Sequence, residues 1–227
     1  NVTDMSSLFE GKNFNEDISN WDVSNVTDMS SMFLRDTNFG QMLAGFNQDI
    51  SSWDTTNVTD MSRMFAFSNF NQPLNWNVTN VTDTTQMFWY NHSFNQNINS
   101  WSLSNVKTMN YMFQDAHSFN QSIIDWTVPN VEDLTGMFMN ATSFNQSLNN
   151  LQLSNAKKMQ SMFYNANVFN ENISNWNTTN VTDMSYMFVD ASAFSKGIGN
   201  WNTSNVKRMD SMFSGATAFN QNLDDWD

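Results

Sequence analysis

The chain has 227 residues, with 22 acidic and 9 basic side chains, a formal net charge of −13 and no cysteine. Aromatic residues make up 15% of it against 14% charged, too much ring surface for a disordered acidic chain. So acidic a surface repels nucleic acid and anionic membranes, and without thiols there is no disulfide framework, zinc finger or thiol nucleophile. No apolar run approaches the roughly 18 residues a membrane helix needs, so no direct membrane insertion is expected. No signal peptide is read, and a start at Asn1 rather than Met suits a mature or excised segment.

Self-similarity decides the organisation. Asn followed by Val or Ala recurs at Asn1, Asn25, Asn57, Asn80, Asn105, Asn130, Asn155, Asn180 and Asn205, giving nine copies of a 25-residue unit. The copies cover the whole chain as one domain, and the second carries an insertion around residues 39–45. Numbering positions in the unit as columns, Phe fills columns 9 and 15 in every copy, and Met fills column 8 in eight. Column 19 is always Ile or Leu, and column 22 is Trp except for Leu151.

In chain order, each unit opens with Asp in column 4 of six copies (Asp4, Asp28, Asp60, Asp83, Asp133, Asp183), placed to cap a helix N-terminus. Met109, Met112, Phe113 and Ala116 follow at i, i+3, i+4 and i+7, the spacing of one face of a short helix of about two turns. A bend at Phe-Asn-Gln comes next. The stretch Ile173-Ser-Asn-Trp176-Asn-Thr178 then reads as a short strand, and a second bend at Ser/Thr-Asn closes the unit. One unit buries too little apolar surface to offset the entropy of ordering it, so neighbours must cover its open faces. The expected fold class is therefore an α/β repeat solenoid. Each coil is a short helix plus a short strand, and the strands form a parallel ladder along one face.

The unit Asn-Val-Thr-Asp-Met-Ser-x-Met-Phe-x-x-Ala-x-x-Phe-Asn-Gln-x-Ile-x-x-Trp, nearly intact at Asn180 to Trp201, resembles the BspA-like surface-protein repeat of mycoplasma lipoproteins and other bacterial and protist surface proteins. The resemblance implies a divergent leucine-rich-repeat-like solenoid in which Ile-x-x-Trp-x-Val replaces Leu-x-x-Leu-x-Leu. It further implies exposure at a cell surface, roles in adhesion or protein contact, and no catalytic motif.

The candidate chemistries each have a structural competitor. The Met29-x-x-Met32 pairs offer thioethers to a soft metal, but they share a face with Phe and are read as core. His92 and His117 are read as isolated, without convergent ligands or an orienting group, so no metal site is assigned. The Asp column is read as capping rather than a calcium ladder, and acids that recur by column are not a catalytic pair. No enzyme activity and no cofactor are expected. Asn in columns 1 and 16 is read as an internal amide ladder that satisfies backbone groups at the bends.

What remains for a ligand is the outward side of the expected strand: Asn20, Asp22, Ser52, Asp54, Ser100, Ser102, Asp125, Thr127, Asn150, Gln152, Asn175, Asn177, Asn200 and Asn202. Met42 and Leu43, in the insertion, form a second candidate as a binding loop. The functional expectation is a non-catalytic extracellular or cell-surface protein that binds a host or matrix protein or a glycan through many weak contacts. Its alternative is a structural element that self-assembles by end-to-end stacking with further copies of itself.

Overall fold

The computed structural model describes residues 1–35 and 45–226. The nine units stack in register as successive coils, here coil 1 to coil 9. The expected α/β architecture is not what they form: among the described residues there is no helix and no extended strand. The β-type pairing is confined to isolated parallel bridges that run through column 4 from Asp4↔Asp28 to Asp183↔Arg208. That column lies in the half of the unit expected to be helical, so both the helix and the position of the ladder are corrected. The leucine-rich-repeat-like α/β class is set aside with them.

The backbone shows why no helix forms. Column 7 lies in the left-handed region in all nine coils, with φ between 54° (Ser7) and 59° (Gly136, Tyr186). Column 11 does the same in eight coils, from Asn165 (53°) to Gly215 (74°). A right-handed helix needs φ near −63° throughout, so each run is broken twice. What replaces it is a division of hydrogen bonds by parity. In coil 7 the N–H groups of columns 5, 7, 9 and 11 donate to the next coil: Met159 to the Asp183 carbonyl (3.0 Å), Ser161 to Ser185 (2.9 Å), Phe163 to Met187 (2.9 Å) and Asn165 to Val189 (2.6 Å). Columns 8, 10 and 12 donate three residues back within the coil: Met162 to Met159 (3.2 Å), Tyr164 to Ser161 (3.1 Å) and Ala166 to Phe163 (3.1 Å). The N–H of column 6 turns to the column 4 carboxylate, as Ser185 does to Asp183 at 2.9 Å. In coil 8, where column 4 is Asp183, every N–H from column 5 to column 12 thus has an acceptor, which a buried backbone requires.

The inward pattern read from the sequence holds even though the conformation does not. Met109, Met112, Phe113 and Ala116 are all buried. Within each coil the two Phe rings stack at 3.8–4.2 Å between centroids. Between coils the column 9 rings repeat at 5.5–5.9 Å, and the tryptophans at 6.0–6.5 Å. Among the described residues columns 19–24 make no backbone bond from coil to coil, and side chains link the coils there instead. Each column 22 indole after coil 1 donates its N–H to the column 19 carbonyl of the preceding coil, as Trp201 does to Ile173 at 3.1 Å and Trp126 to Ile98 at 2.9 Å.

The asparagine columns close the remaining gaps. The column 1 amides donate to the carbonyl just ahead of column 1 of the preceding coil, as Asn180 does to Ser154 (2.7 Å) and Asn205 to Thr179 (2.8 Å). The column 16 side-chain oxygens accept the N–H of the next column 16 residue, Asn95 to Asn71 (2.9 Å) and Asn145 to Asn120 (3.0 Å) among them.

The left-handed column carries a direct expectation. Ser161→Val places a β-branched residue at φ 55° and should lower the free energy of unfolding by about 1–2 kcal/mol. Ser143→Val, at an exposed position of ordinary φ, should stay within about 0.5 kcal/mol of the parent. Equal losses in denaturant titrations of the two variants would contradict the broken-helix backbone.

Candidate functional site

Columns 21 and 23 keep the alternation of an extended segment although no ladder forms there. Asp125 and Thr127 are exposed while Trp126 and Val128 are buried. All fourteen expected ligand-face residues are exposed: Asn20, Asp22, Ser52, Asp54, Ser100, Ser102, Asp125, Thr127, Asn150, Gln152, Asn175, Asn177, Asn200 and Asn202. Met42 and Leu43 lie outside the described residues.

One stretch of this face is concave. A groove of about 540 Å³ spans coils 5 to 7 and brings together six of the fourteen: Asp125, Thr127, Asn150, Gln152, Asn175 and Asn177. Its centre is Leu151, the residue that interrupts the tryptophan column. The neighbouring indoles remain stacked in separate sets, Trp101 with Trp126 and Trp176 with Trp201. Leucine is smaller than tryptophan and has no N–H, so the Ile123 carbonyl receives no indole bond of the kind that Ile98 and Leu148 receive. The floor is apolar (Ile124, Leu151, Leu153) and the rim carries amides, a hydroxyl and a carboxylate. The exposed aspartates of this face at Asp22 and Asp54 have lowered pKa values because the hydroxyl and N–H of Ser24 and Thr56 bond to them, so they are anionic at neutral pH.

A second concavity of about 700 Å³ runs along the column 1 amides from Asn57 to Asn155, which alternate with Thr59, Thr82, Lys107 and Glu132. The column 1 amide N–H groups are committed to backbone, and Lys157 holds Glu132 at 2.6 Å. That contact lowers the Glu132 pKa.

The histidines need correcting. His92 and His117 occupy column 13 of adjacent coils and stack at 4.4 Å, with ring planes 19° apart. Tyr90 leans on His92 at 5.0 Å, and Phe67 contacts both Trp89 and Tyr90. Stacked imidazoles present their nitrogens side by side rather than toward one ion, so the pair is an aromatic stack and not a chelate. The Nε1 of Trp89 and Nε2 of His92 are buried without a hydrogen-bond partner. The sequence held the signal: Trp89, the one Trp outside column 22, and Phe67, one of two Phe outside columns 9 and 15, accompany two histidines 25 apart. The methionine columns pack among the rings as expected, with Met29 and Met32 fully buried.

Burial, reinforced by the charge of His117 and opposed by Asp115, lowers the His92 pKa below 6.5. The unfolded chain then binds the proton more readily. Stability is complete above about 6.5 and declines as pH falls from there through the folded value. An imidazole NMR titration should place the His92 midpoint below 6.5, and a midpoint above it would contradict the buried stack.

No curated protein and no solved structure matches the chain. A family model does, over residues 1–75, 67–175 and 152–227, and its description is a Mycoplasma protein of unknown function. With the matches spanning the full length, the chain belongs to that repeat family, DUF285.

Proposed function

We propose that this chain is a non-catalytic recognition module displayed at a cell surface, as in the BspA-like surface proteins whose repeat it resembles, and that it binds a glycan or an extended peptide of a host or matrix protein. The observation that carries the reading is the groove at Leu151. It lies on the exposed polar face, at the one place where the repeat gives up a buried indole. An apolar floor with a few polar groups on its rim is how small ligand sites gain both affinity and orientation. The groove lacks exposed Trp, Tyr or Arg anchors, so a single site binds weakly and gains strength through the repeated groups along the face.

Screening the chain against glycan and matrix-protein arrays tests this, with Leu151→Trp as the diagnostic variant. Tryptophan restores the column, its stacking and its bond to the Ile123 carbonyl, so the variant should be at least as stable as the parent. It should bind an array hit about tenfold or more weakly, a loss of about 1.4 kcal/mol. Undiminished binding by a folded Leu151→Trp chain, or no hit on either array, would overturn the reading.

A further inference from the structure

We propose that the concavity along column 1 is a second binding site. It takes a neutral β-1,4-linked polysaccharide that lies along the stack with one sugar ring per coil. The groove at Leu151 takes no part, so this site stands or falls apart from the recognition role.

Five successive coils, 3 to 7, build the site from two rows. One row is the exposed column 1 amides, and the other is column 3, with Thr59, Thr82, Lys107 and Glu132. Column 2 between them is buried, so columns 1 and 3 face outward together. Every amide in the row is held the same way. The Nδ2 groups of Asn57, Asn80, Asn105, Asn130 and Asn155 donate to backbone carbonyls at 2.7–2.8 Å. Those bonds fix each side chain, and its Oδ1 accepts no hydrogen bond from the described residues. The hydroxyls of Thr59 and Thr82 likewise donate to the Thr27 and Thr59 carbonyls, at 3.1 and 3.2 Å. Their protons are used while their lone pairs still face outward. The site is a fixed row of acceptors, and the ligand that completes it is a polymer rich in donors.

The spacing of the row selects among such polymers. Along the site each column 3 N–H donates to the column 3 carbonyl of the preceding coil at 2.8–2.9 Å. Backbones joined in this way lie about 4.8 Å apart. A β-1,4-linked pyranose ribbon advances by nearly this step per ring and carries a hydroxyl on its edge at every ring. An extended peptide repeats its like-facing groups only every two residues, about 6.6 Å. It slips out of register by the second coil, and it brings an acceptor for every donor. Charge narrows the class further. The site holds one ammonium, Lys107, and one carboxylate, Glu132, on a chain of charge −13. A polyanionic glycan is repelled by the whole and gains no net attraction from the site, whereas a neutral one meets no such barrier. Each ring is held weakly, and affinity accumulates along the row.

NMR titration with cello-oligosaccharides and with N-acetylated chito-oligosaccharides tests this. In the better-bound series affinity should rise about tenfold or more from the triose to the pentaose, then level off. The side-chain amide signals of the column 1 row should shift as it does. Laminaripentaose, whose β-1,3 linkages curl the chain out of step, should bind about tenfold or more weakly. Decaproline, which has almost no donors, should not bind. Thr82→Leu puts apolar bulk beside Asn80 and Asn105 at the cost of one exposed hydroxyl bond, and Lys107→Leu does so at an exposed position. Each should weaken pentaose binding about tenfold. Ser143→Leu, exposed on a different column, should bind as the parent does. The proposal is overturned by no binding of either pentaose at millimolar concentration, or by equal affinity for triose and pentaose. It is overturned equally by laminaripentaose or decaproline binding as tightly, by undiminished binding in folded Thr82→Leu and Lys107→Leu, or by an equal loss in Ser143→Leu.

Discussion

A backbone N–H has one strong bond to give, and in this chain half of those between columns 5 and 12 give it to the next coil. That choice excludes the i→i−4 pattern of a helix and forces columns 7 and 11 into the left-handed region. A left-handed non-glycine residue costs about 1–2 kcal/mol, and five of the nine coils hold two. The backbone tolerates this because the alternative leaves odd-column amides and even-column carbonyls facing an apolar core without partners, at a comparable or larger penalty for each group. A single unit has neither acceptors above nor donors below, so the conformation exists only in a stack.

The ring columns impose the second constraint. Parallel Phe and Trp rings repeat from coil to coil, while the chain forms hydrogen-bonded bridges at column 4 and makes no inter-coil backbone bond at columns 19–24 among the described residues. Indole N–H groups and asparagine amides take over where the backbone cannot reach. Small polar residues outside and tryptophan inside are one arrangement. The outward positions alternate with inward anchors, which leaves amides, hydroxyls and carboxylates as the surface.

Much of this was legible in the sequence. The inward columns could be read because repetition of Phe, Met, Ile and Trp marks burial whatever the backbone does. The exposure of the ligand face followed from its alternation with those columns. The helix misreading has a physical origin: cols 5, 8, 9 and 12 are buried in both a helix and a chain of overlapping turns, so spacing alone does not separate the two. Column 11 offered a clue, since Gly11, Asp115, Asn140, Asn165, Asp190 and Gly215 are residue types that adopt positive φ readily. Column 7, mostly Ser, Arg, Gln and Tyr, offered only Gly136. The groove at Leu151 required the packing, because a leucine in a tryptophan column reads in sequence as a conservative change.

The direction of the inter-coil bonds of columns 5 to 11 is open to residue-resolved amide hydrogen exchange by NMR. Met184 and Phe188, whose N–H groups reach the Arg208 and Met212 carbonyls at 2.9 Å each, should be strongly protected. Met209 and Phe213, the same residue types in the same columns one coil later, should exchange orders of magnitude faster. Equal protection in the two coils would mean that each unit satisfies its own amides, and the one-way stacking contact would be wrong.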